Sequence, residues 1–511
     1  MANPQAGNQN RVSSRQSSVI RFFREFFPRS ADGKIDTPQA DFLVASSCTV
    51  DNRESLFPLP LTGFEKYLFW DDRPKQPLTF FVELNFATQL DPHRLKRAIS
   101  EVVQHHPLLN ARIIEIRGDL FWEPLPSPMQ PSHPVDHPPV IDGMPRPIDL
   151  RIEPGCRCWY LPESDRSQLL LQFHHCACDG IAARGVLIDI LRIYAMSAPD
   201  YGSFATEPQQ PKKAMGFERF RINELKHRHD FSHLPAPRRK LSSWQRLRNA
   251  YYFHLQPPKA LLGSLKGRSD IGSQPDAPLL HVNLSRELSE QVLARCQQTS
   301  ISINELSLAL LFQTCARWNR ERGDHNPHSR LRILMPYDLR GRSDLRMSAT
   351  NRLSFSFFGR SSRQTEELPA LQASLRAEMD AIKATQLYMD FLNGCSLAAK
   401  TPGLMRWGCR NSNQMATAVI TYTVDISRGM DRLFPNQDGY RKVGDALLQS
   451  ILAAPPVRRN TNIALGLCIN WGQINISASW NRVVFSATDC KQFLQLYHSG
   501  WQQWATSEEL K

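Results

Sequence analysis

An apolar run over residues 168–174 ends in His174-His175-Cys176-Ala177-Cys178-Asp179-Gly180, and a helical pattern begins directly after it. Imidazole, with an ordinary pKa of about 6.5, can take and return a proton at neutral pH, so a histidine fixed at a strand end is a good general base. Successive side chains on a strand point to opposite faces. At most one of His174 and His175 therefore faces a given cleft, and the other packs or bonds behind it. Asp179 stands where a carboxylate caps the next helix or pairs with a cation, and either would fix the loop. Gly180 is expected at a sharp turn with an unusual backbone angle, or at a close backbone approach.

Two other chemistries draw on the same residue types. Cys156-x-Cys158 and Cys176-x-Cys178 lie near the histidines. Structural zinc sites place about two to four residues between paired cysteines, so this spacing is poor and no metal is expected. Cys176 beside His175 would make a nucleophile and base, but strand neighbours face apart. The chain has no Gly-x-Ser-x-Gly elbow, no Walker loop and no dinucleotide-binding glycine pattern.

The elements that must hold this segment follow from periodicity. Residues 80–87, 111–116 and 168–174 read as strands. Asp91-Pro92 opens a helix with Leu95, Ala98, Ile99, Val102 and Val103 on one face, ending near His105-His106-Pro107. The helix after the motif buries Ala183, Val186, Leu187, Ile190, Leu191 and Tyr194. In the second half, residues 302–318 and 488–504 read as helices, and 331–336, 353–358, 417–424, 463–470 and 473–480 as strands. Strands and helices mix without the strict alternation of a doubly wound sheet, which predicts mixed-sheet α/β sandwiches. Each half shows strands flanking long helices, as two related lobes would.

With 511 residues the chain exceeds what one core usually holds. The expected divisions are a tail over 1–50, a first lobe over 51–196 carrying the motif, a crossover over 197–275 and a second lobe over 276–511. Net charge is +13, and residues 211–270 alone hold 14 Lys/Arg against 4 Asp/Glu. Residues 1–34 add a further net +4, so the body is near neutral. That distribution argues against a nucleic-acid-binding core and for basic appendages that meet an acidic membrane or partner. Val19, Ile20, Phe22, Phe23, Phe26 and Phe27, interleaved with Arg21 and Arg24, read as a short docked helix or an interfacial one. Leu241, Trp244, Leu247, Tyr251 and Leu255 share a helical face beside Arg246 and Arg248, which fits a basic amphipathic helix or an ordinary helix packed over the lobe junction. No apolar run approaches the roughly 18 residues of a membrane span, and the start lacks the apolar stretch of a secretory signal. An odd, scattered set of 11 cysteines fits reduced thiols in the cytoplasm.

The motif resembles the His-His-x-x-x-Asp-Gly signature of the coenzyme-A-dependent acyltransferase superfamily. That group includes peptide-synthetase condensation domains, plant BAHD acyltransferases, polyketide-associated acyltransferases and wax ester synthases, and it shares the chloramphenicol acetyltransferase fold. Residues 90–113, Ile303-Asn304-Glu305-Leu306, and Pro336-Tyr337-Asp338-Leu339-Arg340 followed by Asn351 are similar to further stretches of condensation-like proteins, in the same order. The likeness spans about residues 56–505, with the crossover unmatched. Three features depart from particular subfamilies. Asn470-Trp471-Gly472 only echoes the BAHD Asp-Phe-Gly-Trp-Gly motif, His105-His106-Pro107 stands where condensation domains carry Arg-His-Glu, and Asn304-Glu305 stands where wax ester synthases favour Asn-Asp.

The resemblance implies two lobes with an interfacial tunnel and acyl transfer from a thioester. His175 would be the general base, His174 a supporting residue, and Asp179 structural, salt-bridged to Arg340 or else to Arg112. It implies no permanently bound cofactor; acyl-coenzyme A or an acyl carrier thioester would be co-substrate, with a hydroxyl or amine on a small molecule or lipid as acceptor. A catalytically silent binding protein that recruits a carrier or partner is the alternative. Residues 211–270 would meet the carrier protein or an anionic membrane.

Overall fold

The computed structural model describes residues 56–125, 140–141, 144–199, 220–265, 277–411, 415–423, 430 and 433–507. The sequence readings for residues 1–50 lie outside them. The first half runs β1 (Leu59–Pro60), α1 (Gly63–Asp71), β2 (Thr79–Phe86), α2 (Pro92–Gln104), β3 (Ala111–Ile116), β4 (Asp119–Pro124), β5 (Val140–Ile141), β6 (Met144–Pro145), β7 (Cys156–Pro162), β8 (Ser167–His174) and α3 (Gly180–Met196). The crossover contributes α4 (Ser243–Leu255). The second half opens with β9 (Leu280–Asn283), α5 (Arg286–Thr299), α6 (Ile303–Arg320), β10 (Arg330–Asp338), β11 (Leu353–Ser361), α7 (Leu368–Thr385), α8 (Tyr388–Lys400), α9 (Leu404–Asn411) and β12 (Ala418–Thr423). It closes with β13 (Asn436–Gln437), β14 (Tyr440–Val443), β15 (Ala446–Ala454), β16 (Ile463–Asn470), β17 (Gln473–Trp480) and α10 (Ala487–Thr506).

Two six-stranded sheets organise these elements. One has the order β13-β14-β15-β2-β8-β7 and the other β11-β10-β12-β16-β17-β9. The first is antiparallel throughout. The second is mixed, with β10, β12 and β16 parallel and the outer strands antiparallel. The expected division at residue 276 is corrected here: β13, β14 and β15 come from the second half of the chain and complete the first sheet. The reason is available edge. β2 pairs with β8 on one side only, and β15 offers six residues to its other side, Leu448 opposite Phe86 through Ala454 opposite Phe81.

The chain passes between sheets after β15, and the two sheets touch there. Asn470 stitches them, donating to the Ile451 carbonyl at 2.9 Å and accepting from its amide at 3.3 Å. The echo of a BAHD motif at Asn470-Trp471-Gly472 is thus a hairpin: Asn470 faces Gln473, and Trp471 and Gly472 have φ of 50° and 86°. Gly466 permits the close approach. A Cβ there would lie 1.9 Å from the Ala453 carbonyl oxygen. Gly466→Ala is expected to destabilise the protein by about 3 kcal/mol or more, the upper range of overpacking. Gly359→Ala, where a Cβ meets nothing within 4 Å, is the matched control at within about 0.5 kcal/mol. Denaturant midpoints measure both.

The crossover is tied down where it meets the first half. Arg228, almost fully buried, donates to both Glu65 carboxylate oxygens at 2.7 and 2.6 Å and to the Pro60 carbonyl at 2.7 Å. Glu65 also closes the Thr62 capping box that starts α1 and accepts from Trp122 Nε1 at 3.3 Å. A buried charge pair survives only with its remaining valences satisfied, and this one has them.

Candidate active site

The motif occupies the turn between β8 and α3. His174, the last residue of β8, is 1% exposed. Its Nδ1 accepts from the Cys176 amide at 3.1 Å, so that nitrogen holds a lone pair and the proton sits on Nε2. Nε2 points at Asp72, 3.6 Å away. Asp72 in turn accepts from the Leu78 amide at 2.7 Å. His174 is therefore consumed in holding its own loop.

His175 takes the other direction, as strand alternation requires. It is half-buried, with its ring edge-on to Phe80 at 5.5 Å. Its backbone is clamped at both ends. The amide donates to the Leu78 carbonyl at 2.7 Å, and the carbonyl accepts from Asn351 Nδ2 at 2.8 Å. Asn351 reaches the Cys176 carbonyl as well, at 3.0 Å. Burial holds the His175 imidazole below its ordinary value of 6.5. Its own main-chain carbonyl, the Asp179 charge and Asn351 act against that shift, and His174 adds to it. His175 Nδ1 and Asn351 Oδ1 are both buried without a well-formed hydrogen bond.

Asp179 meets both expectations at once. It caps α3 by accepting from the Ala182 amide at 2.9 Å, and it receives Arg340 Nη2 on both oxygens, at 2.9 and 3.0 Å. A third donor is the Arg352 amide at 2.8 Å. Arg340 also donates to Asp338 and to the Thr350 carbonyl, each at 3.0 Å. Burial works against the guanidinium charge, but Asp179 and Asp338 outweigh it and the Arg340 pKa rises. Arg112 is not part of this site. It pairs with Glu123, directly opposite on β4, at 2.6 Å, because cross-strand neighbours reach each other without loop closure.

The reading of Gly180 is also corrected. It is the first residue of α3, it has no positive φ, and a Cβ would meet nothing within 4 Å. The glycine that permits a close approach is Gly155, where a Cβ would lie 2.5 Å from the Ala177 Cβ. Nothing in its sequence neighbourhood marks it. Arg352, Asp72 and Phe80 were likewise invisible, because each joins the site from a distant element. Arg352 links all three parts: its amide binds Asp179, and its side chain binds Asp344 and the carbonyls of Arg228 and Asp230.

The cysteines are structural. Cys176 is fully buried and donates to the Glu65 carbonyl at 3.3 Å, and burial pushes its thiol well above the ordinary range. Burial also raises Cys156, to about 12, and Cys158 and Cys178. Among the described residues no cluster of three or more His, Cys, Asp or Glu is placed to hold a metal ion.

Two six-stranded sheets, the first completed by β13–β15 from the second half of the chain, with a histidine pair at the strand–helix turn, make the fold of condensation domains and related acyltransferases of the chloramphenicol acetyltransferase type. The first condensation domain of the calcium-dependent antibiotic synthetase is similar with a TM-score of 0.59 at 12% identity, covering 88% of this chain and 96% of that one. A trichothecene 15-O-acetyltransferase from Fusarium sporotrichioides gives 0.58 at 10% identity, with 86% and 94% coverage. A mutant starter condensation domain of rhizomide synthetase, in complex with C8-CoA, gives 0.57 at 12% identity, with 88% and 96% coverage. No family model matches the sequence, and no curated protein does.

Proposed function

We propose that the protein transfers an acyl group from a thioester, carried on coenzyme A or an acyl carrier protein, to a hydroxyl or amine acceptor. The His175 imidazole takes the acceptor proton as the acceptor oxygen or nitrogen attacks the thioester carbonyl. The tetrahedral intermediate then expels the thiolate, and the imidazolium returns the proton to it. No permanently bound cofactor is required. The observation that carries this reading is the division of labour in the motif. His174, Cys176 and Asp179 are spent on internal bonds, while His175 combines a rigid backbone with a ring whose Nδ1 has no hydrogen-bond partner. The reading also fits neighbours that include an O-acetyltransferase and a domain solved with C8-CoA.

Thiol release from a panel of acyl-coenzyme A donors, with hydroxyl and amine acceptors, is the direct test. A silent binding protein would retain such ligands and release no thiol. The pH profile is a second test. A general base works neutral, and burial lowers the His175 pKa, so the acid limb of kcat/KM is expected below pH 6.5. A limb at or above 6.5 would point to another group. The same shift makes the unfolded chain the better proton acceptor, so the stability it confers is present above about pH 6.5 and declines as pH falls below that.

A further inference from the structure

The crossover helix α4 faces the wrong way for a packed helix. Ser242 and Gln245 form a capping box at its start. Arg246 pairs with Asp390 of α8 at 3.0 Å, and Phe253 packs on Phe357 of β11 at 4.7 Å between ring centres. At its end Arg332 of β10 donates to the carbonyls of Tyr252, Phe253 and Gln256 at 3.0–3.1 Å, a guanidinium cap on the orphan acceptors of the last turn. Three independent anchors thus fix the rotation of α4 about its axis. The side turned inward carries Arg246 and Phe253. At 100° per residue the opposite side carries Trp244, Leu247, Arg248 and Tyr251, with Tyr252 at its edge. Trp244 is 71% exposed, and Leu247, Tyr251 and Tyr252 are each more than 40% exposed.

Scattered exposed apolar residues are ordinary, but four on one anchored ridge are not. The ridge is flanked by charge of one sign. Arg238, Arg239 and Lys240 precede it and Arg248 lies within it; all are exposed, and none forms an ion pair among the described residues. We propose that this ridge lies in the headgroup region of an anionic lipid bilayer, with Trp244, Leu247 and Tyr251 inserted and the four cations on lipid phosphates or carboxylates. Trp and Tyr favour that depth because one end of each ring is apolar and the other polar. Basic side chains beside them add attraction to acidic lipids. An acidic carrier protein would use the cations and leave the apolar ridge unexplained. Among the described residues no helix is long and apolar enough to cross a membrane, and the attachment proposed is a peripheral one. The inference is independent of the acyl-transfer reading, and its test reads no turnover.

The test is cosedimentation of the full chain with phosphatidylcholine vesicles, with and without phosphatidylserine. Wild type is expected on the anionic vesicles, more so at low salt. Trp244→Ser/Leu247→Ser/Tyr251→Ser is expected to weaken binding by at least about tenfold at every ionic strength. Replacing Arg238, Arg239, Lys240 and Arg248 with Gln is expected to remove the salt dependence. Arg246 is left intact because Asp390 holds it. Circular dichroism and melting curves should match wild type for both variants, since neither touches the three anchors. In wild type the emission of Trp244, isolated by difference from Trp244→Phe, should shift to the blue on anionic vesicles. Wild type that binds no vesicle, or a triple variant that binds as well as wild type, overturns the proposal. So does a wild type that ignores vesicles and holds an acidic acyl carrier protein through the four cations.

Discussion

Replacing His175 with alanine should lower acyl transfer by about 10² to 10⁴ while the protein remains folded. That is the usual contribution of a positioned general base, about 3 to 5 kcal/mol of barrier. The fold should survive because the bonds that hold this residue are made by its main chain, to Leu78 and Asn351, and not by its ring. The ring's own contact, edge-on to Phe80, is replaceable packing. His174→Ala should behave in the opposite way. It removes the acceptor of the Cys176 amide and the partner of Asp72 from a fully buried position, so the denaturant midpoint should fall along with the rate. Thiol release and unfolding, measured on both variants, separate the two roles. Full turnover in His175→Ala would remove the general base from the proposed chemistry.

Replacing Asp179 with alanine should cost about 3 to 5 kcal/mol of stability and most of the activity. The carboxylate is 0% exposed and accepts from Arg340, the Ala182 amide and the Arg352 amide. Its loss strips a buried guanidinium of its main partner and takes the cap from α3. The damage reaches His175 because Asn351, which clamps the His175 carbonyl, adjoins Arg352 in the chain. Asp179→Asn keeps an oxygen that can cap but loses the charge. The difference between the two variants therefore isolates the ion pair from the cap. Arg340→Gln added to Asp179→Asn should recover part of the loss, because the uncompensated cation goes with it. If Asp179→Ala unfolds at the wild-type midpoint, the pairing does not hold the loop.

Most elements were legible because their signals are local. The strands at 463–470 and 473–480 appear with those bounds, and Asp91, Ser302 and Asp179 cap the helices that periodicity placed after them. The pairing of Asp179 with Arg340 was legible at one remove, through the resemblance that put Arg340 just after a strand in the lobe facing the motif. Periodicity alone could not choose it over Arg112, since a charge pair 161 residues apart leaves no spacing signal.

What the sequence by itself determined is the chemistry on offer and the elements that carry it: a histidine pair at a strand end, a capping carboxylate, a helix with one apolar face over Trp244, Leu247 and Tyr251. Tertiary structure alone decided how these are turned. It moved 436–454 into the first sheet, because β2 had a free edge there. It made Asn351 the clamp on His175 and passed over Gly180 for Gly155 as the point of close approach. It rotated α4 so that the apolar face looks outward, through Arg332, Asp390 and Phe357, none of which lies in that helix. Periodicity reports which residues share a face. Only the bonds made by distant residues fix what that face meets.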